Sequence, residues 1–237
     1  MRNYIILNGV HSDTITGLLI SNLPPITKPK QRTQIEEIDG RDGDIVTNLG
    51  YSAYDKEIEI GLYGNFDIDD VVEYFNGKGT VTFSNEEDKY YYYEIIGQID
   101  YDRLIRFRKA TVKMHVQPFK YSNVEGTRTF TISSENSISI NNNGNYTAKP
   151  IITITGSGTI NLSVNSYQVL VIDLGENSTS ITIDTNNMEA YNTSTQALMN
   201  RSVTGNYDNL YLNAGQNTIS WTGTITQITI QNYSRWI

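Results

Sequence analysis

The sequence contains no cysteine, only two histidines and no long apolar segment. Without cysteine the chain has no disulfide, no thiol nucleophile and no Cys-based zinc site. The apolar run near the N-terminus covers only residues 4–7, which is too short for a signal-peptide core. No later segment approaches the roughly 20 apolar residues of a membrane-spanning helix. We therefore expect a chain that is made in the cytoplasm and does not insert into a membrane.

Motifs for catalysis and for phosphate binding are missing as well. His11 and His115 are far apart and belong to neither an HxH nor an HExxH pattern, and GxSxG, P-loop and GxGxxG motifs are absent. Two carboxylates that are distant in sequence could come together in the fold as a catalytic pair, but no feature of the sequence indicates a hydrolase. We predict no catalytic residue, no enzymatic activity, no cofactor and no metal site.

The acidic stretch DGRDGD at residues 39–44 is the one segment that suggests a cation. Asp39, Asp42 and Asp44 could supply oxygen ligands, but an EF-hand needs a glutamate at its twelfth position and a helix on each side. Both are missing here. Two glycines among four charged residues predict a hydrogen-bonded turn instead.

Positive charge is scarce and unevenly distributed. The chain has 18 Lys and Arg against 26 Asp and Glu, a net charge of −8, and no basic stripe. Because phosphate contacts supply most of the affinity for nucleic acid, we predict no nucleic-acid binding. Residues 122–237 hold only 4 basic and 7 acidic residues, and Asn, Ser, Thr and Gly replace them. Such a composition is common in extracellular and virion β-proteins.

The first half of the chain reads as strands with one short helix. Residues 56–63 alternate, with Ile58, Ile60 and Leu62 on one face, which predicts a half-buried strand. Residues 67–77 have acidic residues at the start, Asn-Gly at the end and apolar residues at helical spacing, so they predict a helix. Residues 106–116 predict a further strand, which the proline at position 118 is expected to stop.

Four consecutive tyrosines occupy residues 90–93. Neighbouring side chains of a strand point to opposite faces, so two of the four must line a second surface. This surface is either a strand rim with exposed phenol groups or a subunit interface, where tyrosine is enriched. The interface candidates taken from this strand and from the acidic turn are Arg41, Asp42, Tyr91 and Tyr93.

The second half is nearly uncharged and consists of short alternating runs separated by Gly, Asn and Ser. Residues 151–155 and 159–164 alternate around Gly156-Ser157-Gly158, which predicts a β-hairpin. Further runs follow at close to regular intervals up to residue 231. This cadence is typical of a β-sandwich.

Aromatic side chains on such a sandwich offer an alternative function, the binding of sugar. The candidates are Tyr207, Tyr211 and Trp221, with Asn and Asp neighbours that could hold hydroxyl groups. Trp221 shares a strand face with Ile219, which favours a place in the core.

Several short sequence segments, in this order along the chain, resemble those of a known family. They are LNG at 7–9, DGRDG at 39–43, GKG at 77–79, YY at 91–92, PFKY at 118–121, NGNYTAKPII at 143–152, ITID at 181–184, EAY at 189–191, GQN at 215–217 and RW at 235–236. Taken together, they resemble the distal tail protein of siphophages that infect Gram-positive bacteria. The segments 23–30 and 193–204 have no counterpart in the resemblance.

The resemblance implies a mainly β chain of two domains. Residues 1–124 would be a ring-forming, β-sandwich-like belt domain with one short helix, and residues 125–237 a galectin-like β-sandwich carried outside the ring. The implied function is a structural virion protein that forms a homo-hexameric ring at the tail tip, or baseplate, and is made in the host cytoplasm. The implied partners are the tail-tube protein, the tail-associated tip protein and either a receptor-binding protein or a host cell-wall glycan. The alternative is a carbohydrate-binding module for host-surface adhesion.

Overall fold

The computed structural model of the chain describes residues 2–40, 42–177 and 179–237. Strands make up 54% of the chain and helices 10%, which confirms the predicted mainly β fold class. The chain separates into two compact units, the first ending at Asn123 and the second spanning Val124–Trp236.

The first unit is built on a curled antiparallel sheet. The strands of the unit are β1 (Ile5–Leu7), β2 (Val10–His11), β3 (Leu18–Asn22), β4 (Gln31–Glu37), β5 (Asp44–Tyr51), β6 (Tyr54–Leu62), β7 (Lys78–Phe83), β8 (Lys89–Glu94) and β9 (Lys109–Ser122). Its helices are α1 (Ile68–Tyr74) and α2 (Tyr101–Phe107), and a 3-10 turn covers Ser12–Thr14. The strands of the main sheet follow the order β2-β1-β7-β8-β9-β6-β3. Strands β4 and β5 form a separate two-stranded sheet.

The core of the first unit follows the predicted alternation in β6, where Ile58, Ile60 and Leu62 are buried. Helix α1 is present as predicted, and the Asp67 carboxylate caps it by accepting a hydrogen bond from the backbone N–H two residues on. The helical spacing predicts a packed face of Ile68, Val71, Val72 and Phe75. In the structure Val71, Tyr74 and Phe75 are buried, Ile68 is half-buried and Val72 is exposed.

Helix α2 was not predicted from the sequence. Asp100 caps it by accepting a hydrogen bond from Arg103 N–H at 2.8 Å, and Arg108 ends it in the left-handed conformation at φ 58°. Leu104 is the only fully buried side chain among the seven residues of the helix. One buried residue produces no periodic apolar pattern, so no signal for this helix is visible in the sequence. Phe107, which we expected in a strand, lies in the last turn of this helix and is 74% exposed.

Strand β9 continues past Pro118, contrary to the prediction that this proline stops it. The register against β8 jumps from Tyr91 opposite Lys120 to Tyr93 opposite Val116. Extra residues on β9 therefore form a bulge, and Pro118 lies within it, where no ladder donor is required.

The second unit contains the remaining strands. They are β10 (Arg128–Thr131), β11 (Ser137–Asn142), β12 (Ile151–Val164), β13 (Tyr167–Asp173), β14 (Thr179–Asp184), β15 (Glu189–Asn192), β16 (Val203–Gly205), β17 (Gly215–Gln231) and β18 (Arg235–Trp236), with 3-10 turns at Asn200–Ser202 and Tyr207–Asn209. The central order is β10-β17-β12-β13-β16, with β11 on β17 and β14 between β12 and β15.

The predicted hairpin at Gly156-Ser157-Gly158 is wrong, because β12 runs through these residues as one strand. Residues 151–156 pair with β14 and residues 159–164 pair with β13, while β17 accompanies β12 along both halves. The register against β17 shifts on either side of Gly156, where a Cβ would clash with the carbonyl oxygen of Thr224. The glycines therefore make a corner at which a long strand pair changes partners, rather than a turn.

Candidate functional site

The hairpin formed by β4 and β5 is largely exposed. All seven residues of β4 are exposed. Ile35 lies directly opposite Val46, and the two residues are 58% and 61% exposed. Leu49 is 48% exposed. Because a lone two-stranded hairpin is marginally stable in water, and exposed apolar clusters mark protein contacts, this hairpin is a candidate interface.

The acidic turn forms the tip of this hairpin. It joins β4 to β5 as the predicted turn, with Gly40 and Gly43 at φ 80° and 79°. Asp42 is exposed there, where a partner could reach it. Arg41, the other interface candidate of this turn, lies outside the described residues.

The tyrosine strand β8 has two faces, as the alternation requires. The structure places the interface candidates Tyr91 and Tyr93 in the core, at 0% and 4% exposure, so neither presents a surface to a partner. Tyr90 and Tyr92 occupy the opposite face and contact the ring of Tyr121 at centroid distances of 5.6 and 5.4 Å. The surface of this strand is therefore formed by Tyr90 and Tyr92, and not by the predicted interface candidates Tyr91 and Tyr93.

A charged network surrounds Tyr91 inside the first unit. The Tyr91 hydroxyl donates to Glu86 Oε2 at 2.7 Å, and Lys120 Nζ lies 2.8 Å from Glu86 Oε1 in a buried ion pair. Burial, followed by the hydrogen bond to Glu86, raises the pKa of Tyr91. The ammonium of Lys56 lies 5.0 Å from the centroid of the Tyr91 ring. These contacts give the buried polar groups partners, so the network has a structural role.

The sugar-binding candidates of the second unit lie in different environments. Trp221 is 5% exposed and belongs to the core, as its strand pattern favoured. Tyr207 is half-buried against the same core, with a buried hydroxyl. Tyr211 is 40% exposed and lines a pocket of about 370 Å³ together with Tyr167. Only Tyr211 among the three is therefore positioned to contact a ligand.

In the described ranges, no three or more His, Asp or Glu side chains converge in a geometry that could bind a metal ion. No helix of residues 2–40, 42–177 and 179–237 has the length and apolar character needed to cross a bilayer.

The fold of the chain is similar to that of phage tail hub and baseplate proteins. One solved structure of this class is the SPP1 Dit (gp 19.1) protein, described as a paradigm of hub adsorption apparatus in phages that infect Gram-positive bacteria. It matches with a TM-score of 0.64 and 16% sequence identity over 100% of both chains. A chain of the phage P2 baseplate in its activated conformation with Ca matches with a TM-score of 0.54 and 12% identity over 97% of both chains.

At these identities the likeness concerns the fold, and at that level it confirms the predicted resemblance to a distal tail protein. No protein-family model matches the sequence, and no curated protein matches it.

Two surfaces were missed by the sequence analysis. The apolar residues of the β4–β5 hairpin alternate only weakly, and no sequence signal shows that this hairpin pairs with nothing else. Tyr167 lies 44 positions before Tyr211, so their common pocket depends on the tertiary fold.

Proposed function

We propose that this chain is a structural subunit of a phage tail tip, which assembles through its first unit into a hexameric ring at the end of the tail tube. The exposed β4–β5 hairpin carries this proposal, and the full-length likeness in fold to the SPP1 hub protein supports it. A cyclic ring requires heterologous interfaces, in which one patch of each subunit meets a different patch of the next. The hairpin would supply one of these two patches.

The hairpin is suited to this role because it gains from a partner on both faces. Ile35 and Val46 form one apolar pair, and Ile45 and Leu49 belong to the alternate positions of β5. Burying an exposed aliphatic side chain stabilises by roughly 1.5–3 kcal/mol, which a neighbouring subunit would supply. In the assembled virion the ring would connect the tail-tube protein to the tail-associated tip protein. Contacts rather than reactive groups would then carry the function.

Light scattering coupled to size-exclusion chromatography tests the ring, together with negative-stain images. The purified chain is expected to reach six times its mass of 26.8 kDa at high concentration and to form rings. Val46→Lys places a charge in the contact and is expected to yield monomers that remain folded. Val72→Lys, at an exposed position of α1, is the matched control and should leave the ring intact. A wild-type chain that stays monomeric at high concentration and forms no rings would contradict the proposal.

A further inference from the structure

A pocket in the second unit combines aromatic rings with free amide groups. One wall of the pocket is the turn that joins β12 to β13, and the other is the segment between the 3-10 turn Tyr207–Asn209 and β17. The volume of the pocket is about 370 Å³. This volume falls within the roughly 300–1,000 Å³ of small-molecule sites. Its lining includes the side chains of Tyr167, Tyr211, Asn165, Gln168, Asn209 and Asn213.

The two tyrosine rings face solvent, although the backbone on which they lie is held in place. Tyr211 is flanked by Leu210 and Leu212, which are both 0% exposed and anchor the segment in the core. Tyr167 follows a two-residue turn and is 79% exposed. Neither ring contacts another aromatic ring within the described part of the chain. Both rings are therefore available to a ligand.

The amide groups of the pocket are also available. The side chains of Gln168, Asn209 and Asn213 make no hydrogen bond to any described residue. An amide can both donate and accept hydrogen bonds, as a hydroxyl can, so these groups match a ligand rich in hydroxyls. An apolar occupant would leave the amides without partners, which is costly.

Charge excludes the other common ligands. Among the residues that the structure describes, no Lys, Arg, Asp, Glu or His lines the pocket, so these residues offer nothing to pair with a phosphate, a carboxylate or an ammonium group. Asp208, next to Asn209 in sequence, is already paired with Lys149 Nζ at 3.0 Å. The net charge of −8 also disfavours a polyanion. An uncharged ligand with C–H faces and hydroxyl groups fits both components of the lining, since aromatic faces attract C–H edges.

The pocket is preorganised by one buried amide, Asn217, which is 1% exposed. Its Oδ1 accepts hydrogen bonds from Asn213 N–H and from Asn165 Nδ2, both at 2.8 Å. Its Nδ2 donates to the carbonyl oxygens of Asn213 and Gly215 at 2.8 and 2.9 Å. Both walls of the pocket are thus tied to the same side chain, which lowers the entropic cost of binding.

We propose that this pocket binds an uncharged oligosaccharide, with Tyr167 and Tyr211 packing on the sugar ring and the amides of Gln168, Asn209 and Asn213 bonding its hydroxyl groups. The site is independent of the ring, so either proposal can fail without the other.

An oligosaccharide array presented to the full chain tests the site. The array carries neutral hexose and N-acetylhexosamine oligomers, and poly(glycerol phosphate) as the anionic alternative. The neutral oligomer with the strongest signal is then titrated by calorimetry. Neutral oligomers should bind, and Tyr211→Ala and Tyr167→Ala should each weaken binding by about tenfold or more, as expected for an aromatic anchor. Gln168→Ala should weaken it by a smaller factor.

Tyr63→Ala removes an exposed tyrosine of the first unit and is the matched control, with unchanged binding expected. Circular dichroism of each variant checks that it is folded. We expect folded variants, because both pocket tyrosines are exposed. The proposal is overturned if no neutral oligomer binds, if only the anionic polymer binds, or if folded Tyr167→Ala and Tyr211→Ala proteins bind as the wild type does.

Discussion

Replacing the buried Lys56 by methionine is expected to stabilise the first unit at neutral pH. The residue is 3% exposed, and its Nζ donates to the Pro25 carbonyl oxygen at 2.9 Å. It lies over the ring of Tyr91 but forms no ion pair within the described residues, because the nearby Glu86 is paired with Lys120. Methionine retains the length of the aliphatic chain and removes the buried charge.

The magnitude follows from the pKa of Lys56, which burial lowers from 10.5 to about 8. At 1.36 kcal/mol per pKa unit, this lowering corresponds to about 3 kcal/mol of cost for the charged form. Loss of the hydrogen bond and of the ring contact offsets part of the gain. We therefore expect Lys56→Met to raise the free energy of unfolding at pH 7 by about 1–2 kcal/mol.

The pH dependence has a definite sign. Between pH 8 and 10.5 the unfolded chain retains the Lys56 proton that the folded chain has lost, so the wild-type free energy of unfolding rises with pH in this window. At higher pH it falls, because the pKa of Tyr91 is raised in the folded state and the unfolded tyrosine ionises first. In Lys56→Met the rise should disappear while the fall remains.

Urea unfolding at several pH values between 7 and 11 measures both effects. Trp221 and Trp236 both belong to the second unit, so their fluorescence reports that unit. Eleven of the 17 tyrosines lie in the first unit, so the tyrosine circular dichroism that changes without a change in tryptophan fluorescence reports the first. Lys120→Met is the control, because it leaves Glu86 buried without its cation and should destabilise by about 3–5 kcal/mol. An Lys56→Met protein that is less stable at pH 7, or that keeps the rise above pH 8, would refute the reasoning.

Two further substitutions test the second unit by tryptophan fluorescence. Asn217→Ala leaves several backbone and amide groups without partners and should cost about 2–3 kcal/mol. Asn209→Ala should change stability little, because Asn209 is exposed and its side chain bonds to no described residue. A loss below 0.5 kcal/mol for Asn217→Ala, on the order of a neutral surface change, would contradict this role. Gly156→Ala should cost about 2 kcal/mol or more, because the new methyl group clashes with the Thr224 carbonyl oxygen, and Gly126→Ala, which meets open space, should be tolerated. Equal stability of the two glycine variants would show that the corner adapts.

Local patterns were sufficient to predict much of the secondary structure. Alternation placed Ile58 and Ile60 in the core, and the acidic cap with helical spacing located α1. These predictions succeeded because a strand repeats every two residues and a helix every 3.6, so the buried face is visible along the chain itself. The order and composition of short sequence segments also predicted a fold that is similar to that of the SPP1 hub protein.

Contacts between distant residues decided the rest. The segment around Gly156 has the composition of a hairpin turn, yet β17 pairs with both flanking halves and makes it a corner of one strand. Tyr91 and Tyr92 are indistinguishable by type, and only the pairing of β8 with its neighbours directs one ring inward and the other outward. The isolation of the β4–β5 hairpin and the meeting of Tyr167 with Tyr211 likewise depend on the tertiary fold. Periodicity is a property of neighbours in sequence, whereas strand partners and pocket walls come from residues that only the folded chain brings together.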